Sequence, residues 1–112
     1  MSAFPDPAPG QRPANPVRGE ASLAVAGTAI LLRPSFAALV AAEGELGPLF
    51  ALVERAADGR LGLAETATLF WHCAVPQGAV TREELGEAVL EMGLAAASTP
   101  LRQLLGQILQ GR

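Results

Sequence analysis

The sequence predicts a mainly α domain: an N-terminal β-hairpin followed by four or five short helices packed as a small orthogonal bundle. Three observations predict it. Half of the 112 residues are apolar, and Ala and Leu carry that share with only four Phe, one Trp and no Tyr, which suits close-packed helices better than an aromatic-rich sheet. Strand-like alternation is confined to one stretch, "EASLAVAGTAILLRP". Helical spacing is clearest in "TPLRQLLGQILQ", where Leu101, Leu104, Leu105, Ile108 and Leu109 recur on one side. A chain of this length supports one core and buries roughly 60 to 65% of the surface its unfolded form exposes, leaving little room for a deep catalytic cavity.

Taken in order, residues 1–17, "MSAFPDPAPGQRPANPV", hold five of the nine prolines and few large apolar groups, and so read as a flexible arm. Residues 18–112 form the single domain. Leu23 and Val25 alternate with smaller residues, Gly27 supplies a turn, and Ile30 and Leu32 resume the alternation, giving a hairpin with one buried face. Pro34 ends the second strand, and Ser35 is placed to cap a helix carrying Phe36, Leu39 and Val40 on one side. Gly44 and Gly47 interrupt that helix. Pro48 then fits the first turn of another with Leu49, Phe50, Leu52 and Val53, closing at Gly59, so the region reads as two helices or one kinked helix.

A third helix is expected from Leu63 to Val75, stopped by Pro76 and Gly78. The fourth opens on "TREE", where Thr81 and Glu84 have capping-box spacing, and Leu85, Ala88, Val89 and Met92 form its inward stripe before Gly93. Thr99 and Pro100 read as the cap and first turn of the last helix.

All eight basic residues are Arg, and the formal net charge is -3. That balance opposes nucleic-acid binding, which needs a basic face to displace counterions. The "PQGAV" link between the third and fourth helices resembles a helix-turn-helix, yet Glu83, Glu84, Glu87 and Glu91 against a lone Arg82 would repel phosphates. A single Cys excludes an internal disulfide and fits a reducing compartment. No signal segment and no apolar run of spanning length is evident, so a soluble, unexported cytoplasmic protein without membrane contact is expected.

"LFWHCAV" places the only Trp, His and Cys at consecutive positions, Trp71, His72 and Cys73. On a helix, neighbours diverge by about 100°, so the thiol and imidazole point apart, and no second Cys or His exists to build a zinc shell. His72 shares a polar stripe with Glu65 and Thr68, opposite Leu63, Ala67, Phe70 and Ala74, which makes it a polar-edge residue. Trp71 and Cys73 flank the buried face as packing groups. No catalytic, metal-binding or cofactor-binding residue is expected, and the protein is not expected to be an enzyme.

Two surfaces are expected to meet partners. Glu84, Glu87 and Glu91 form an acidic outer stripe, a solvated face that can also dock a basic segment. The leucine stripe of the last helix, Leu101, Leu104, Leu105, Ile108 and Leu109, is core in most helices of this kind. At a chain end, and weakened by Gly106 at a cost of roughly 1 kcal/mol relative to Ala, it can instead serve a partner or a second copy of the chain.

The succession of "RGEASLAVAGTAILLRPSFAALVAAEGELG", "LFALVERAADGRLGLAETATLFWHCA" and "TREELGEAVLEMGL" resembles the small gene transfer agent family encoded among the tail genes of phage-like particles in alphaproteobacteria, over about residues 18 to 110. The resemblance implies a part in building a long noncontractile tail and supplies no catalytic residues. Members are described as tail tube proteins or as tail assembly chaperones. A tube subunit needs a sheet large enough to close into a ring, and the strand-like sequence here is one short hairpin, so a chaperone binding the tape-measure protein and the major tail (tube) protein is the expectation. The alternatives are a structural tube subunit carried in the particle tail and a helical interaction module unrelated to tails.

Overall fold

The hairpin begins the fold, and its turn explains its register. The computed structural model describes residues 20–76 and 78–110; the arm expected over residues 1–17 lies outside them. Strands β1 (Ala21–Val25) and β2 (Thr28–Leu32) pair antiparallel from Ala21 opposite Leu32 to Val25 opposite Thr28. Between them Ala26 and Gly27 both take positive φ, 51° and 81°, the geometry a two-residue turn needs to follow the strands' right-handed twist. Leu23, Val25, Ile30 and Leu32 face inward, as the alternation predicts.

Helices α1 (Phe36–Leu46) and α2 (Leu49–Ala57) follow. Ser35 caps α1 by accepting the Ala38 N–H at 3.2 Å. Gly44 lies inside α1 and does not break it; the helix ends at Gly47, whose φ of 87° only glycine adopts readily. The two helices are separate, bent by 77° across Gly47 and Pro48. The Glu43 carboxylate, reaching over this elbow, accepts the first N–H of α2 from Leu49 at 3.1 Å.

Helix α3 (Leu63–Cys73) ends two residues earlier than its apolar pattern suggests. Ala74 and Val75 leave it to form β3, a third strand that pairs antiparallel with β2. The Arg33 N–H prolongs the pairing by donating to the Cys73 carbonyl at 2.7 Å. The sheet order is β1-β2-β3. Two residues cannot reveal a period, so this strand is invisible to alternation.

Helix α4 (Arg82–Met92) carries the capping box: Thr81 Oγ1 accepts from Glu84 N, and Glu84 Oε1 accepts from Thr81 N at 2.8 Å. Helix α5 begins at Leu94, five residues before the expected cap at Thr99, and runs to Gln110 with Pro100 inside it. The Ala-rich "LAAAS" has enough helix propensity to form the first turns, and Pro100 lacks only the N–H that would have bonded Ala96 four residues back.

Helix α3 is central, packed against α1, α4, α5 and β2. The core joins Leu32, Leu52, Leu69, Phe70, Leu85, Val89 and Leu104, all fully buried. No single helix among the described residues is long and apolar enough to cross a membrane.

Candidate functional site

The "FWHC" positions sit at the centre of the domain. Trp71 is half-buried and donates its indole N–H to the Val80 carbonyl at 3.0 Å, tying α3 to the segment that leads into α4. Cys73 is buried among apolar groups, which pushes its thiol up to about 12, so it stays protonated and unreactive. His72 is not the polar-edge residue the helical stripe predicts. It is 8% exposed, because α1 lies over that side of α3 and brings a carboxylate with it. Glu45 Oε1 meets His72 Nε2 at 2.8 Å.

The same Glu45 pairs with Arg82 of α4 through two contacts, Nη1 to Oε2 at 2.6 Å and Nη2 to Oε1. The guanidinium also stacks 4.3 Å from the Trp71 ring centroid. Its hydrogen bonds to Glu45, followed by that of His72, hold the Glu45 carboxyl down at about 2. The partnership pushes the Arg82 pKa up in turn. Glu45, His72, Trp71 and Arg82 thus form a polar clasp joining α1, α3 and α4. Glu45 is held from two sides, while the buried Nδ1 of His72 has no hydrogen-bond partner; among the described residues no group of three His, Cys, Asp or Glu side chains could hold a metal ion.

The five residues of the terminal stripe do not make one surface. Leu104 and Leu105 are buried in the domain's own core, and Leu101 turns to a hollow shared with Leu61 and Leu94. Ile108 reaches α1 and α2 on another side, and Leu109 is 54% exposed. Glu84, Glu87 and Glu91 are exposed as expected and line a shallow groove beside the hairpin turn at Val25 and Ala26. Glu84 is already engaged in its capping box.

The larger opening lies where the periodicity gave no warning. Helix α1 buries only Ala38 and Ala42, while Phe36 is 85% exposed and Val40 half exposed. Leaving a side chain the size of Phe in water forgoes roughly 1.5 to 3 kcal/mol of burial, so such a position is informative. Phe36, Leu39 and Val40 from α1, Leu49 from α2 and Ile108 from α5 line a groove of about 300 Å³, with Pro34, Glu43 and Gln107 at its border. Phe50, the next residue after Leu49, is 73% exposed. The available signal was the width of the apolar set on "SFAALVAA", which is too broad for an 11-residue helix to bury on one side.

The family model described as "Phage tail tube protein, GTA-gp10" matches residues 18–111. The chain belongs to that family. No curated protein and no solved structure matches it. The GTA-gp10 match spans every described residue and begins after the Pro-rich segment.

Proposed function

We propose that this GTA-gp10 family member acts as a tail assembly chaperone, without catalysis, by covering apolar helical stretches of the tape-measure protein and presenting them to tube subunits. The observation that carries this reading is the groove between α1, α2 and the end of α5. Its rows of apolar side chains at helical spacing suit the inserted face of an amphipathic helix. The small sheet supports the same reading. Strands of five, five and two residues offer too little edge for a hydrogen-bonded ring of subunits.

A second reading, a permanent subunit of the tail tube, is favoured by the family's own description. Affinity capture from cells making the particles separates the two. A chaperone co-purifies with the tape-measure protein and is missing from finished tails, and Phe36→Ser and Val40→Ser weaken that capture. Recovery in stoichiometric amounts from purified tails would replace the chaperone by the tube subunit. Recovery of no tail protein would refute both.

A further inference from the structure

The sheet has two edges, and they differ in what they offer. Strand β3 is two residues long and runs directly into Pro76, which has no N–H, so that edge is closed to further pairing. Strand β1 forms the other edge. The two-residue turn at Ala26 and Gly27 makes Val25 and Thr28 the closing pair, whose backbones bond to each other. Alternation along the register then turns the N–H and C=O of Ala21, Leu23 and Val25 toward β2, and those of Ser22 and Ala24 outward. Among the described residues these outward groups meet no backbone partner, and both residues are exposed. Edges of natural sheets are guarded by a charged side chain, a proline or a bulge; "ASLAV" carries none of them.

We propose that β1 accepts an added strand from another protein: an extended, antiparallel segment that carries Arg or Lys opposite Val25. The backbone groups of Ser22 and Ala24 supply the pairing, and the neighbouring charges select the partner. In an antiparallel addition, residues opposite Ser22 and Ala24 lie on the sheet's outer face, and those opposite Leu23 and Val25 on the face covered by helices. On that face Val25 and Ala26 share a groove of about 220 Å³ with Glu84, Glu87, Ala88 and Glu91 of α4. The three carboxylates are exposed, and the one basic residue of α4, Arg82, is held by Glu45. A cationic side chain opposite Val25 therefore enters a groove of opposite charge.

A second copy of the chain could pair its own β1 here, but its charge is wrong. A two-fold pairing centred on Leu23 sets Ala21 of the second copy opposite Val25 and its Glu20 opposite Ala26, so an acidic residue meets the acidic groove. One added strand also makes no ring, because the β3 edge stays closed. The inference goes beyond the tail reading and does not depend on it.

Amide hydrogen exchange read by NMR on the full chain tests it, with the end-capped peptide Thr-Arg-Thr-Val-Thr-Val as probe; in register its Arg opposes Val25. At about 1 mM peptide, enough to half-fill a site of that Kd, exchange should slow at Ser22 and Ala24. Leu23, whose N–H already bonds β2, should not change. Methylating the backbone nitrogen of the Thr that follows Arg removes the donor facing Ala24 and should abolish the slowing. Ala24→Pro in the chain should do the same without unfolding it, since an edge strand tolerates proline where the N–H points outward; the methylated peptide makes the same test on the unaltered chain. Replacing the peptide's Arg by Glu should weaken binding about tenfold, and Glu87→Arg with Glu91→Arg in the chain should reverse that preference. No slowing with the Arg peptide, or equal binding of the methylated one, would overturn the proposal, as would equal binding of the Arg and Glu peptides. Slow exchange at Ser22 and Ala24 that needs no peptide and is lost on dilution would assign the edge to a second copy. Capture of tape-measure protein is a separate measurement, so the two ideas can fail independently.

Discussion

Helix α3 and the α1–α2 pair are both apolar, yet only α3 keeps that character inside the domain. Around α3 every side is taken: Leu69, Phe70 and Cys73 meet the core, Trp71 hands its N–H to Val80, and His72 meets Glu45. Around α1 and α2, Ala38, Ala42 and Leu52 are buried, Leu39, Leu46, Leu49 and Val53 pack against the core only in part, and Phe36, Val40 and Phe50 remain outside. The residues with the most reactive chemistry therefore serve packing, whereas residues that read as ordinary core form the open surface. Residue type alone misleads in both places, because position within the packed assembly decides what a side chain can do.

The largest effect should come from the inner region. Phe70→Ala removes a fully buried ring from the central helix α3 and should cost about 3 to 5 kcal/mol in urea unfolding. A loss under about 1 kcal/mol would mean that α3 is not the centre of the core. Thr81→Ala removes one half of the capping box and should cost about 1 kcal/mol, within a range of about 0.5 to 2, read from the same titration.

The clasp should show itself in acid. Glu45 has its carboxyl lowered from 4.5 to about 2 by Arg82 and His72, so the folded state holds fewer protons than the unfolded one between those values. Its contribution is complete above pH 4.5 and fades as pH falls toward 2. Melting temperatures of Glu45→Gln should lie below those of the parent at neutral pH and converge with them in that window. A constant gap down to pH 2 would contradict the pairing.

The smallest effect on stability belongs to the outer region. Phe36→Ser, at 85% exposure, should change unfolding free energy by no more than about 0.5 kcal/mol. A loss of several kcal/mol would place Phe36 in a packed interface within the domain and remove the contrast drawn above.

Local signals made much of the architecture legible. The alternation around Gly27 gave the hairpin, Ser35 and Thr81 marked two helix starts, and positive φ at Gly47 and Gly93 accompanies two helix ends. Propensity outweighed punctuation elsewhere: Gly44 did not break α1, and Ala95 to Ala97 carried α5 past the expected cap at Thr99. The site was less legible because its contacts are distant in sequence. Glu45 and His72 are 27 positions apart and Glu45 and Arg82 are 37, separations that no helical wheel samples. The terminal stripe was visible as a stripe, but only packing divides Leu104 and Leu105 from Ile108.

The elbow between α1 and α2 has a further effect. With Glu43 holding the Leu49 amide across Gly47 and Pro48, the two walls contributed by these helices keep a fixed angle before anything arrives. A guest then meets a preorganised cleft, and less association free energy is lost to ordering the host. Glu43→Ala would loosen that hinge at the groove's rim, slowing no chemistry but raising the dissociation rate of whatever the groove holds.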